Sequence, residues 1–146
     1  MQPDIHPNYW AILVAAAASI VLGFLWYGPL LGKAWIKEMG MPPDQKPDPK
    51  VMRRGLILMV IGSFLTAFVL AYTGAVWRPS VWKAGADGSA AFYGFSTGFW
   101  TWIGFYVPLH LGAVAWENRS WKLFGINAAY SFVMLQLVAM ILAFWR

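Results

Sequence analysis

The sequence contains no cysteine and very little charge. Without cysteine there is no disulfide framework, and no zinc or iron–sulfur site built on thiolates. Only 12% of the 146 residues are charged, about half the share found in soluble domains. So few charges cannot cover the surface of a water-soluble fold of this size. Histidine is also scarce, with two residues. What fills the chain instead is apolar: 60% hydrophobic residues and 18% aromatic ones, ten of them tryptophan. That composition excludes intrinsic disorder, which requires low hydrophobicity and few aromatics.

The gaps between charges organise the chain. Residues 5–32, 55–77, 88–116 and 123–145 contain no Asp, Glu, Lys or Arg. Each gap exceeds the roughly 20 residues that a helix needs to cross a bilayer core of about 30 Å. In hydrocarbon a backbone must satisfy its own hydrogen bonds, so such spans are helices. No run of about ten residues alternates as a membrane β-strand does. The expected fold is therefore all-α. It is a single polytopic domain, 1–146, of four transmembrane helices in a bundle, with spans at about 8–29, 55–77, 89–116 and 123–145 and a polar loop at 33–54. The first span has no Lys or Arg before it and is too long for a signal-peptide core, so it reads as a retained helix.

The net charge of +5 is unevenly placed. Lys33, Lys37, Lys46, Lys50, Arg53 and Arg54 lie in the first loop, and Arg119 and Lys122 in the last. Only Arg78, Lys83 and Arg146 fall on the other side. The positive-inside rule puts the two basic loops in the cytoplasm and both termini outside. Within the first loop, residues 30–39 alternate apolar and basic side chains as a short interfacial helix does. A proline-rich link follows. Asp48 and Pro49 then have the residue types of an N-cap and first helical position, so the second helix begins a turn before its membrane span.

Eight tryptophans fall at span ends or in loops, where an aromatic belt accounts for them. Trp100 and Trp102 do not, because both lie near the middle of the third span. At 100° per residue they point to nearly opposite faces, one toward lipid and the other inward. The third span is also the most polar. Trp102, Tyr106 and His110 recur every fourth residue and share a face. His110 is the one ionisable group well inside a span, and such residues mark functional sites. The competing structural reading is a neutral ring bonded to Tyr106 or to the carbonyl freed by Pro108. Pro108 should kink the helix. Gly94 and Gly98 form a small-xxx-small pair, and with Gly104 they offer a thin side for helix packing. Asn127 and Tyr130 add polarity to the fourth span. Glu117 reads as an ion-pair partner of Arg119 or Lys122.

Two segments resemble one another. Trp26-Tyr27-Gly28-Pro29-Leu30 and Phe105-Tyr106-Val107-Pro108-Leu109 share aromatic-Tyr-x-Pro-Leu, each followed by Ala-Trp. This suggests a parallel repeat of two helix pairs; chance similarity between aromatic-rich segments is the alternative.

Asn8-Tyr9-Trp10, Trp26-Tyr27-Gly28-Pro29 and Gly32-Lys33-Ala34-Trp35 resemble the opening of a bacterial membrane-protein family, domain of unknown function 1761. Gly98-Phe99-Trp100-Thr101-Trp102, Trp116-Glu117-Asn118-Arg119 and Ile126-Asn127-Ala128-Ala129-Tyr130 are similar to its later hallmarks. The resemblance implies four membrane helices in a bacterial inner membrane, and it implies no reaction. Two functions are expected to compete. One is an oligomeric binding or transport module using His110, Tyr106, Trp102, Asn127 and Tyr130. The other is an accessory subunit packing on other membrane proteins through Gly94 and Gly98. An enzyme ranks third, since no nucleophile–base pair, phosphate loop or metal cluster is present. The expected partners are the lipid bilayer and a second copy or another membrane protein. No metal, cofactor, catalytic residue or nucleic acid is expected.

Overall fold

The computed structural model describes residues 2–146, and among them every regular element is helical. The first helix, α1, runs Tyr9–Leu25. Asn8 starts it: its side-chain oxygen accepts the backbone N–H groups of Trp10 and Ala11 at 3.0 and 3.2 Å, satisfying donors that a helix N-terminus leaves free. A π turn, Trp26–Leu30, ends it. The interfacial segment is the short helix α2, Gly32–Glu38. After the proline-rich link comes α3, Pro49–Val76, capped by Asp48, whose Oδ1 accepts the Lys50 N–H at 2.8 Å. A loop with one 3₁₀ turn leads to α4, Ala90–Thr101. A second π turn, Trp102–Tyr106, joins it to α5, Val107–Trp116. Asn118 adopts a left-handed φ of 53° in the tight turn that follows, a conformation asparagine tolerates. The last helix is α6, Trp121–Phe144.

Tyr9–Leu30, Pro49–Val76 and Trp121–Phe144 are long and apolar enough to cross a membrane, and the chain is a membrane protein on that basis. The third expected span differs. Residues 90–116 are helical throughout, but the π turn divides them into pieces too short to span alone. The cause lies in Pro108, which has no N–H to give Gly104 and whose ring crowds that carbonyl. The ladder relaxes ahead of it, where the Val107 N–H reaches back five residues to the Trp102 carbonyl. The expected kink is thus a widened turn before Pro108. The first helix breaks at the matching place in a different way: Gly28 leaves helical φ/ψ just before Pro29, and the Leu31 N–H beyond it reaches the Trp26 carbonyl at 2.8 Å. Both copies of the aromatic-Tyr-x-Pro-Leu pattern therefore carry a π turn in or beside them.

The last helix is the hub. It packs against α1, α3, α4 and α5, and its buried positions recur around much of its circumference, from Leu123 to Ala143. Ile12 and Ala15 of α1, Ala67 and Leu70 of α3, and Leu135 and Val138 of α6 form the core. Between helices in lipid the hydrophobic effect is weak, and close packing of small residues replaces it. The buried Ala11, Ala15, Ala16, Ser19 and Gly23 of α1 fit that role. By contrast, α3 buries only Ala67 and Leu70, and most of its large apolar side chains face outward. The two basic loops meet at one end. There Ser120 donates to the Glu38 carboxylate at 2.6 Å and Lys122 approaches it to 3.8 Å. Lys122 is thus turned toward Glu38 and not toward Glu117.

Candidate functional site

The five residues singled out in the third and fourth spans lie around α6 with different hydrogen-bond partners; the Tyr106 and His110 rings are 6.4 Å apart, and Trp102, Tyr106 and Tyr130 pack on the same core cluster. His110 Nε2 lies 3.2 Å from the hydroxyl of Ser131, which is 2% exposed. That hydroxyl also lies 3.0 Å from the Ala128 carbonyl, so His110, Ser131 and the backbone of α6 form one polar cluster. Trp102 Nε1 donates to the same carbonyl at 2.8 Å, and its ring meets Phe132 edge-on at 5.1 Å. His110 and Trp102 are therefore tied to α6, and the partner of His110 is Ser131, not Tyr106 or a carbonyl freed by Pro108. Asn127 and Tyr130 face α1 instead. The Tyr27 hydroxyl donates to Asn127 Oδ1 at 2.7 Å, and the Tyr27 and Tyr130 rings meet edge-on at 4.9 Å.

Gly94 and Gly98 sit where helices touch, but the partner is α6 of the same chain. A Cβ on Gly94 would lie 2.7 Å from Met140 Sδ, and one on Gly98 2.8 Å from Gln136 Nε2. Their face is filled by α6 of the same chain. Gly104 has nothing within 4 Å and is not a packing glycine. It lies in the π turn that Pro108 provokes.

Tyr106 alone of the five lines a large groove. It runs between α3 and the α4 side of the third helix, with a volume of about 900 Å³. Leu65, Val69, Trp77, Trp100 and Phe105 line it and remain exposed, so it opens sideways between the helices. The odd tryptophan pair is thereby resolved: Trp102 packs on α6, and Trp100 stands in this groove, 68% exposed. The hydroxyl-bearing Thr66 on α3 and Ser96, Thr97 and Thr101 on α4 also line it. Among the described residues these four make no hydrogen bond, whereas Thr73 is satisfied by the Val69 carbonyl at 3.0 Å.

A smaller cavity of about 270 Å³, with Asp4, His6, Arg78 and Arg146 among its lining residues, adjoins it at the end where the termini meet, and Leu70, Tyr93 and Thr97 line both. Arg78, 5% exposed, lines it. Nη2 donates to the Ala143 carbonyl at 3.1 Å, and the guanidinium lies 4.6 Å above the Tyr93 ring. Asp87 approaches Arg78 to 3.6 Å but is held closer by Arg146, at 2.6 Å. Burial would raise the Asp87 carboxyl. The Ser80 amide and hydroxyl, both at 2.9 Å, and Arg146 outweigh it and hold the group at about 2. Burial, with Arg146 nearby, pulls Arg78 below its usual value, yet a guanidinium keeps its charge at neutral pH.

A match to known sequences completes the description. The family described as "Protein of unknown function (DUF1761)" matches residues 10–143. The chain belongs to this family. No curated protein and no solved structure matches. Membership in DUF1761 assigns no chemistry, so the site rests on the geometry alone. Sequence reasoning missed Arg78, Asp87, Tyr93 and Arg146, having counted the basic ones only as minority charges. One signal was available: Trp77-Arg78 and Trp145-Arg146 each place an arginine directly after a tryptophan at a helix end.

Proposed function

We propose that this DUF1761 protein is a four-span protein of a bacterial inner membrane, with both termini outside, that binds an amphiphilic molecule from the bilayer in the groove between α3 and α4. The carrying observation is the groove, about 900 Å³ and open toward the side. That volume falls in the range of small-molecule sites, about 300–1,000 Å³. Hydroxyls facing bare hydrocarbon are unfavourable, and an amphiphile with hydroxyl or ester oxygens would bond them. Four spans follow if residues 90–116 cross as one unit. They carry no charge, and a helix of that length rises roughly 40 Å at about 1.5 Å per residue. Grouping of the basic loops at one end supports the orientation. Oligomerisation is not needed for this site, because one chain forms both walls.

Monoolein is a suitable probe, followed by native mass spectrometry in mild detergent. Thr101→Trp should fill the groove and lower monoolein occupancy at least about tenfold. Trp116→Ala, at a 90% exposed position away from the groove, should leave it unchanged. Equal occupancy in wild type and Thr101→Trp would overturn the reading.

A further inference from the structure

We propose that α2 is a binding element for anionic phospholipids, with Lys33 and Lys37 meeting the head-group phosphate at the membrane surface. The inference is independent of the groove. It concerns the end of α6 opposite to the one that Arg78 meets.

Depth is the first argument. The uncharged run 5–32 ends at Lys33, and the runs 55–77 and 123–145 begin just after Arg54 and Lys122. The two basic loops meet at this end, with the exposed Trp116 and Trp121 flanking the second of them. Cations beside such an aromatic belt lie at the level of the head groups. Charge is the second. The link 43–50 is balanced, with Asp44 and Asp48 against Lys46 and Lys50. The excess sits next to the spans, where Lys33, Lys37, Arg53, Arg54, Arg119 and Lys122 are set against only Glu38 and Glu117. Glu38 is already engaged by Ser120 at 2.6 Å and Lys122 at 3.8 Å. Among the described residues Lys33, Lys37, Arg53 and Arg54 make no ion pair, and all four are exposed. A soluble polyanion calls for excess charge on the link, which has none. A lipid phosphate calls for it at the span ends, and basic residues on an interfacial helix attract anionic lipid.

Rigidity is the third. Lys33 and Lys37 are four residues apart on α2, so their Cβ atoms leave one face about 5–6 Å apart. Trp35, two residues from each, points the opposite way and is half-buried. The helix is fixed to the bundle. A Cβ on Gly32 would lie 2.6 Å from the Tyr27 carbonyl oxygen, and Trp35 meets the Tyr27 ring edge-on at 5.5 Å. Tyr27 is bonded in turn to Asn127 of α6, and Glu38 is held by Ser120. A phosphate that meets both ammonium groups therefore orders no new helix, which keeps the entropic cost of binding low. Orienting the chain in the membrane needs basic charge in the loop but no fixed pair. The fixed pair is what a head-group site requires.

The test compares dioleoyl phosphatidylglycerol with zwitterionic dioleoyl phosphatidylcholine, which share their chains, on the protein in dodecyl maltoside by native mass spectrometry. Phosphatidylglycerol should bind about tenfold or more tighter at low salt, and the preference should shrink as salt is raised. The double variant Lys33→Gln, Lys37→Gln should bring the preference below about threefold and leave phosphatidylcholine binding unchanged. Both lysines are exposed, so its circular dichroism should match the wild type. If the double variant does not fold, Lys37→Gln alone should cut the preference by about threefold. Lys46→Gln, in the balanced link, should keep the wild-type preference. Equal binding of the two lipids by the wild type, a preference unchanged in the lysine variants, or an equal loss in Lys46→Gln overturns the inference. So does tighter binding of oligothymidylate per phosphate, which would assign the surface to a soluble polyanion. None of these outcomes touches the groove, whose own test is monoolein binding.

Discussion

Gly98→Ala should be among the more costly single-methyl additions in this protein. The new Cβ would lie 2.8 Å from Gln136 Nε2, 3.0 Å from Gln136 Cδ and 3.1 Å from the Leu135 carbonyl oxygen. The Gln136 side chain can swing away, but only by giving up its 3.4 Å bond to the Phe95 carbonyl, worth about 0.6 kcal/mol between membrane helices. The Leu135 oxygen is backbone and moves only if α6 moves. Overpacking of this kind costs about 1–3 kcal/mol. Against it stands the helix propensity of alanine over glycine, about 1 kcal/mol. The net loss should be about 1–2 kcal/mol. Gly62→Ala is the matched control: it sits inside α3 with nothing within 4 Å, so it should gain up to about 1 kcal/mol. Reversible unfolding by titration of dodecyl sulfate into dodecyl maltoside, followed by circular dichroism, measures both. If Gly98→Ala proves as stable as Gly62→Ala, α4 and α6 do not meet at this point, and the close packing described above is wrong.

Two further outcomes follow from the polar contacts. Tyr27→Phe leaves the Asn127 oxygen without its donor at 2.7 Å and should cost about 0.6–2 kcal/mol in the same titration; no change would mean that lipid or water replaces the bond freely. The carboxyl of Asp87 has a folded value of about 2 against an ordinary 3.8. Because the folded value is the lower one, its contribution is present above the ordinary value and fades as pH falls from about 4 to about 2. The melting temperature of the wild type should therefore drop across that window more than that of Asp87→Asn, and parallel curves would refute the pairing.

Much of the helical layout was legible because it depends on local rules. Asp48 and Pro49 mark the start of α3 by cap chemistry alone, and residues 30–39 show the alternation that α2 adopts. The third span was harder. Charge counting sees an unbroken apolar run at 88–116, whereas the backbone must respond to Pro108, and it responds with a π turn that no hydropathy pattern encodes. The site was harder still. His110, Trp102, Asn127 and Tyr130 looked functional because polar groups in a membrane helix are unfavourable, and three of the four prove to be hydrogen-bonded within the chain. Arg78 looked ordinary because it lies in a loop. Its burial comes from long-range packing of the α3 end against Ala143 and Tyr93, which no local window contains.

The central position of α6 also sets an order of assembly. During synthesis α6 emerges after α1, α3, α4 and α5, yet it is the element that packs on all four. Until it arrives, the notch at Gly94 and Gly98 on α4 is empty, and Arg78 lacks the Ala143 carbonyl. A chain that has reached only α5 therefore has its earlier helices but not the element that joins them. Arrival of α6 is the event that lets the preceding helices close on a common core.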